Sequence, residues 1–198
     1  MNIPSNTPPV ENRLVSRNGI SLTALEHTHP FFLVIAPHAG GALMIEIIAR
    51  LALRGRLLLL DGGNRFDVYR CNTAIARALG DQTAELPVIL ERIQLARAFT
   101  CYQVESLLRE TEAQALPTIV LDLLSTFHDE SVAARESLQL LQTCIAQLRR
   151  LNHLAPVAVS ARPEALTHRP ELLKTLQAAA GQVWTLETHV PPSQPRLL

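Results

Sequence analysis

The stretch "VIAPHAGGALMIEIIARLALRG" (34–55), with "LLLLD" (57–61) just after it, decides the fold class of this chain. An apolar run leads into a short turn that contains glycine. A long apolar helix pattern and a second apolar run follow. A strand, a turn, a helix and a strand in this order predict a βαβ unit with parallel strands. The turn also has the outline of a phosphate-binding loop.

The same alternation continues along most of the chain. Apolar runs that predict strands lie at 31–36, 57–61, 93–98, 118–122, 156–160 and 182–187. Helix patterns lie at 40–54, about 68–79, 102–114, 131–151 and 170–180. We therefore expect one α/β domain over 20–190, with a mostly parallel central sheet flanked by helices. The polar, proline-bearing segments 1–19 and 191–198 are expected to be a flexible arm and a flexible tail.

The composition narrows the classes of function. Eighteen basic and eighteen acidic residues give a formal net charge of zero, which offers no overall attraction to DNA or to an anionic membrane. We find no signal-peptide pattern and no apolar run of about 18 residues, so we expect a soluble, cytoplasmic protein. The three cysteines lack metal-ligand spacing, which favours reduced thiols in the core.

The turn departs from the phosphate-loop pattern G-x-x-x-x-G-K-[ST] at most of its working positions. Gly41 keeps the second glycine, but Ala36 replaces the first. Ala42 stands at the lysine position and Leu43 at the hydroxyl position, while Pro37 removes one amide donor. The side chains that bind phosphate and magnesium in such loops are therefore missing.

Two interpretations of the turn remain open at this stage. Gly40 and Gly41 could simply form a tight connection between strand and helix. Alternatively, the helix N-terminus could keep a vestigial nucleotide site, because its free amides attract anions. The candidate cofactor-binding residues are then Gly40, Gly41, Ala42, Leu43 and Asp122, where Asp122 ends an apolar strand.

Four stretches resemble, in order, the core ATPase domain of the RecA/RadA recombinase superfamily over roughly residues 20–190. They are "LLLLDGGNRF" (57–66), "IQLARAFTCYQVESLL" (93–108), "TIVLDLLSTF" (118–127) and "SLQLLQTCIAQLRRLNHLAPVAVSARP" (137–163). The second is similar to the recombinase stretch of the type "ARAFNTDHQ". The resemblance implies a RecA-like P-loop NTPase fold.

The resemblance also indicates which catalytic groups are lost. It places the family's catalytic glutamate at Gly63 and its γ-phosphate-sensing glutamine at Arg162. Asp122 matches the aspartate that positions magnesium, and Asp61 matches the acidic residue that ends the second strand. Phosphoryl transfer needs a held metal, neutralised charge and a positioned water molecule. We therefore expect no catalytic residues, no cofactor and no ATP hydrolysis.

The function implied by the resemblance is that of a non-hydrolysing RecA-like paralogue. It would be an accessory or regulatory subunit in DNA repair, recombination or the damage response, contacting a RecA-like or other DNA-repair protein or its own copies. The alternative is a divergent ATPase that binds ATP at 36–43 with Asp122 on magnesium. A third possibility is a DNA-binding module that uses Arg162, Arg169 and Lys174, although the charge balance predicts weak or no DNA binding.

Two further expectations concern the strand ends. His38 and His128 should lie near Asp122 and Asp129 at the carboxyl edge of the sheet, but their spacing does not favour a metal site. The loops at 36–43 and 160–163 are expected to contribute to a protein interface, as RecA-like subunits stack around this region. Leu43 would either face that interface or turn into the core.

Overall fold

The computed structural model describes residues 10–13, 30–38, 41–163 and 169–186. Its strands are β1 Val10–Arg13, β2 Phe32–Ile35, β3 Leu57–Asp61, β4 Ile93–Arg97, β5 Thr118–Leu121, β6 Val157–Ala161 and β7 Gln182–Thr185. Its α-helices are α1 Ala42–Arg54, α2 Val68–Leu79, α3 Leu86–Leu90, α4 Cys101–Glu110, α5 Ala134–Asn152 and α6 Pro170–Ala179. Short 3₁₀ helices lie at Thr83–Glu85 and Ser125–His128.

The strands form one sheet in the order β1-β7-β2-β6-β5-β3-β4, and every neighbouring pair is parallel. The expected α/β class with a parallel central sheet is therefore confirmed, with the layered architecture of Rossmann-like folds. If β1 is left out, the strands β2 to β7 are renumbered 1 to 6 and the sheet is read from β4, the order is 3-2-4-5-1-6. It differs from the 3-2-1-4-5-6 order of dinucleotide-binding sheets because β5 and β6 lie between β2 and β3.

Helices cover both faces of the sheet, and an apolar core lies beneath each layer. Along β2 the side chains alternate between these cores. Phe31, Leu33 and Ile35 join the core under α4, α5 and α6, whereas Phe32 and Val34 join the core under α1, α2 and α3. Burial on both faces explains why the central strands appear in the sequence as continuous apolar runs.

The predicted strands and helices are found with shifts of a few residues at their ends. Besides the two short 3₁₀ helices, one α-helix and one strand were not predicted. The five-residue helix α3 precedes β4, with a proline in its first turn. The strand β1 lies inside the segment 1–19 that was expected to be a flexible arm, and it pairs in parallel with β7. For Val10–Arg13 the predicted flexible arm differs from the structure, because the outer edge of β7 offers backbone groups with which this segment pairs. The expected tail at 191–198 lies outside the described residues.

The cysteines are free and buried, in agreement with the expectation of core thiols. Burial raises the pKa of Cys71 to about 11 and that of Cys144 to about 12, so both remain protonated at neutral pH. Within the described part of the chain, no helix has the length and apolar character needed to cross a membrane.

Arginine side chains support the ends of helices. The last carbonyls of a helix lack intrahelical partners and need other donors. Arg92 Nη1 donates to the carbonyls of Ala52 and Leu53 near the end of α1, at 3.1 and 3.2 Å. Arg150 Nη2, on α5, donates to the carbonyls of Leu108 and Thr111 around the end of α4, at 3.0 and 2.7 Å. These contacts join elements that are far apart in the sequence.

We predict that Arg150→Ala lowers the free energy of unfolding by about 1.5–3 kcal/mol, the usual range for hydrogen bonds from a charged donor. The neighbouring Arg149 is exposed on the same helix, so Arg149→Ala should change stability by less than about 0.5 kcal/mol. Urea unfolding of both variants measures the difference. Equal losses for the two would contradict the assignment of Arg150 as a helix-end donor.

Candidate functional site

The carboxyl edge of the sheet brings together the charged residues that follow three neighbouring strands. Asp61 ends β3, Asp122 directly follows β5, and Arg162 directly follows β6. Because β3, β5 and β6 are adjacent and parallel, their ends lie side by side. In open α/β sheets this edge is where ligands bind, so it is the candidate functional site.

Asp61 folds the loop that follows β3. Its side chain is fully buried, and its two oxygens accept hydrogen bonds from the backbone amides of Arg65 at 2.8 Å and Phe66 at 3.0 Å. Arg97 Nε lies 3.4 Å from the same carboxylate. The loop is thereby closed over Asp61, and the acidic residue that ends β3 has a structural role.

Asp122 is the centre of the site. Its side chain is 1% exposed and contacts two arginines. Arg162 Nε lies 3.0 Å from Oδ2 and 3.3 Å from Oδ1, and Arg65 Nε lies 3.4 Å from Oδ2. The Asp122 amide donates to Ser160 Oγ on β6 at 3.0 Å. Burial raises the pKa of Asp122 above its ordinary value, and the two arginines act in the opposite direction.

The backbone of Asp122 is in the left-handed region, with φ of 49°. Asparagine and aspartate tolerate this region better than other non-glycine residues, yet it remains uncommon and often marks a functional site. The conformation begins the turn that leads into the 3₁₀ helix Ser125–His128. The Ser125 amide donates to the Asp122 carbonyl at 3.0 Å, and the Ser125 hydroxyl accepts from Arg162 Nη2 at 3.2 Å.

Gly63 is the position to which the resemblance assigns a catalytic glutamate, and the structure leaves no room there for a side chain. A Cβ atom at this position would lie 2.6 Å from Oδ2 of Asp122 and 2.7 Å from its Cβ. These distances are too short for any real contact. In this conformation the side chain of Asp122 occupies the space that a residue at 63 would need.

The turn after β2 is tight, which agrees with the interpretation that its glycine simply connects strand and helix. The Gly41 amide donates to the His38 carbonyl at 2.8 Å, and a Cβ atom at Gly41 would lie 2.8 Å from that same oxygen. Glycine is therefore required there, and one amide at the helix start is already paired. Ala42 is exposed, while Leu43 is half-buried against the core under α1. Gly40 lies outside the described residues.

The turn and Asp122 are not adjacent. β6 lies between β2 and β5, so the two strand ends are separated by about 10 Å, twice the spacing of neighbouring strands. Among the described residues, no three His, Cys, Asp or Glu side chains are grouped closely enough to hold a metal ion. His38 is exposed and His128 is half-buried. His27, His29, His168 and His189 lie outside the described residues.

The candidate DNA-binding residues are in different situations. Arg169 is half-buried and is held by the loop before α5 and by the start of that helix. Its guanidinium donates to the carbonyls of Phe127, Asp129 and Val132 and to the hydroxyl of Ser137, at 2.8, 3.1, 2.8 and 2.7 Å. Arg162 is engaged with Asp122, whereas Lys174 is exposed on α6. Residues 164–168, between Arg162 and Arg169, lie outside the described residues.

Two participants of the site were missed at the sequence level. Arg65 contacts Asp122 across 57 positions of sequence, and Arg97 contacts Asp61 from the edge strand. Each arginine follows, or ends, a strand adjacent to its aspartate, so finding these contacts from the sequence would have required the order of the strands in the sheet. With Arg162, three arginines surround two buried carboxylates, and the cluster carries a surplus of one positive charge.

No protein-family model matches the chain, and no curated protein is significantly similar to it in sequence. The functional interpretation therefore depends on the geometry of the site and on the residues that occupy it.

We predict that Gly63→Ala destabilises the fold by about 1–3 kcal/mol, because the new methyl group must displace Asp122. Gly55→Ala is the matched control, since nothing lies within 4 Å of a Cβ atom there. That variant should be neutral, or stabilising by up to about 1 kcal/mol. Chemical denaturation measures both values.

A double-mutant cycle identifies the cause of the Gly63→Ala effect. In an Asp122→Gly background the atoms that collide with residue 63 are gone, so the cost of Gly63→Ala should shrink. An unchanged cost in that background would show that the strain at residue 63 has another source.

Proposed function

We propose that this protein is a non-hydrolysing, RecA-like paralogue that acts in the cytoplasm through protein contacts. Its role is that of an accessory or regulatory subunit in DNA repair, recombination or the damage response. The RecA-like P-loop ancestry is part of the proposal and is supported by the four sequence stretches that occur in order. The observation that carries the loss of hydrolysis is the contact of Asp122 with Arg65 and Arg162.

The two arginines supply Asp122 with the positive charge that a bound metal ion would otherwise supply. In a phosphate-loop ATPase the aspartate after this strand helps to hold magnesium, which neutralises phosphate charge. Here both oxygens of Asp122 lie within 3.4 Å of a guanidinium nitrogen. A divalent cation at the same oxygens would have to displace them and would then lie beside two positive charges, which is an unfavourable arrangement.

The surrounding positions support the same conclusion. A glutamate that orients water has no space at Gly63, because Asp122 fills it. Leu43, at the magnesium-binding hydroxyl position, packs against the core under α1. Ala42 is exposed at the lysine position and has no cationic group to reach a phosphate. The hydroxyl that binds magnesium, the lysine that neutralises phosphate charge and the glutamate that positions water are therefore each missing, although Asp122 itself is retained.

Protein contact is the use of this edge that its remaining chemistry favours. Pro37 and Ala42 present apolar surface after β2, and Arg162 lies after the neighbouring strand β6. Apolar groups beside an arginine are typical of protein interfaces, whereas a phosphate requires several donors and a cation. The proposed partner is a RecA-like or other DNA-repair protein, and its assignment to DNA repair rests on the sequence resemblance alone.

The two alternatives receive less support. A divergent ATPase would need Asp122 to release its arginines before it could hold magnesium. A DNA-binding module would rely on Arg162, Arg169 and Lys174, but Arg169 uses its guanidinium to hold the loop before α5 together. The exposed Lys174 alone supplies little of the multiple phosphate contact on which salt-dependent DNA binding rests.

The first prediction from this proposal is that ATP with magnesium does not raise the melting temperature and is not hydrolysed. A ligand present at about 100 times its Kd would stabilise the folded state by about 2.7 kcal/mol, which a thermal melt detects readily. The isosteric variant Asp122→Asn should give the same flat titration. Magnesium-dependent stabilisation or phosphate release that disappears in Asp122→Asn would instead establish the divergent ATPase.

The second prediction concerns the interface. Ala42→Glu should weaken association with the partner that co-purifies from the native host by at least tenfold, while the melting temperature stays unchanged. An acidic residue is favourable in the first turn of a helix, so the fold should tolerate it. Ala134→Glu, at the exposed first position of α5, is the matched control and should leave association intact. Association that survives Ala42→Glu would remove this edge from the interface.

A further inference from the structure

The sheet ends at an edge that the described part of the chain leaves uncovered. β4 pairs with β3 on one side, and no described strand pairs with its other side. Exposure along the strand agrees with an open edge, since Gln94, Leu95 and Arg97 are all exposed. At the opposite end of the sheet, β1 covers β7. The edge at β4 is thus the place where the sheet could be extended.

The hydrogen bonds to β3 show which backbone groups of β4 face outwards. The Arg92 carbonyl accepts from the Leu57 amide at 3.0 Å, and the Ala98 amide donates to the Asp61 carbonyl at 3.1 Å. In a strand, the backbone groups of alternate residues point to the same side. The even-numbered residues of this segment therefore face β3.

The amides and carbonyls of Ile93, Leu95 and Arg97 consequently point away from the sheet. Unpaired edge groups are a template for another strand unless charge, proline or a covering element blocks them. Here Arg97 is the only charged residue within β4, and exposed apolar side chains lie in the strand and in the segments that flank it in sequence. Leu95 is 39% exposed, Phe99 just beyond the strand is 66% exposed, and Val88 on the preceding helix is 58% exposed.

The charges along the edge indicate what kind of strand fits. Glu91 lies just before β4, and Arg97 ends it, so the two ends of the segment carry opposite charges. A second copy of the same segment, running antiparallel with Gln94 opposite Gln94, brings the other copy's Arg97 towards the turn before β4, where Glu91 ends α3 in helical conformation. In the same register Ile93 lies opposite Leu95. Opposite charges and apolar pairs are the favourable cross-strand combinations.

We propose that two copies of this chain associate through β4, with their edge strands antiparallel about a two-fold axis, so that their sheets become continuous. The register described above suits the backbone as well as the side chains. Ile93 and Leu95 both face outwards, so each of the two Ile93–Leu95 pairs exchanges two bonds, giving about four new backbone hydrogen bonds. A two-fold arrangement closes the assembly as a dimer and covers both open edges. This inference stands independently of the proposed function.

The first test measures association of the full chain by sedimentation equilibrium over a range of concentrations. Wild type should form a discrete dimer, and Leu95→Lys should weaken its association constant at least tenfold, because the lysine puts charge into the apolar edge. Leu154→Lys is the matched control. It makes the same change at a residue that is 57% exposed beyond the end of α5, and it should leave the dimer unchanged. A monomeric wild type, or equal effects of the two variants, would overturn the proposal.

The second test uses the charge pattern. Glu91→Lys and Arg97→Glu should each dimerise at least tenfold more weakly alone, because each brings like charges together where the end of one copy's β4 meets the turn before the other's. Mixed together they should form a dimer with one copy of each, since opposite charges then meet at both ends of the paired strands. Thermal melts check folding, because Arg97→Glu also loses its contact with Asp61. If Arg97→Glu does not fold, Glu91→Lys alone decides. Undisturbed dimers in Glu91→Lys, or folded variants that stay apart when mixed, would refute the register.

Discussion

The buried carboxylate of Asp122 is the constraint on which the carboxyl edge of the sheet depends. A carboxylate that is 1% exposed is expensive to keep charged unless opposite charges and donors lie close to it. Arg65 and Arg162 supply that charge, and they come from the loops after β3 and β6, the two neighbours of β5. The conformations of three successive strand ends are thus coupled through one side chain.

The arginines of this chain act mainly as connectors between elements. Lys174 is the single lysine of the sequence, so almost every cation is a planar guanidinium with several donors in a fixed geometry. Arg92 and Arg150 use those donors at the carboxyl ends of helices, and Arg169 uses them on the loop before α5. A compact ammonium could not reach several carbonyl groups at once in the same way. Several of the cations that contribute to the zero net charge are therefore held in contacts within the protein.

The parallel sheet and its helices could be predicted from the sequence because burial on both faces leaves a continuous apolar run at each central strand. β1 could not, since "VENR" has neither an apolar run nor alternation, and its pairing follows from the edge that β7 offers. The contact of Arg65 with Asp122 could not be predicted from the sequence either. It depends on β3 lying next to β5, and the order of strands in a sheet is not written in local hydrophobic patterns.

Under the proposed ancestry, the same coupling makes the loss of catalysis difficult to reverse. A glutamate restored at Gly63 would collide with Asp122, whose carboxylate is held in place by Arg162. A glutamine restored at Arg162 would leave that carboxylate with Arg65 as its remaining arginine, while Gly63 would still lack a group to orient water. Each reversal alone destabilises the present arrangement without supplying catalysis, so the effects of these positions are not additive. Gly63, Asp122 and Arg162 therefore depend on one another, and a change at any one of them alters the charges and the space at the other two.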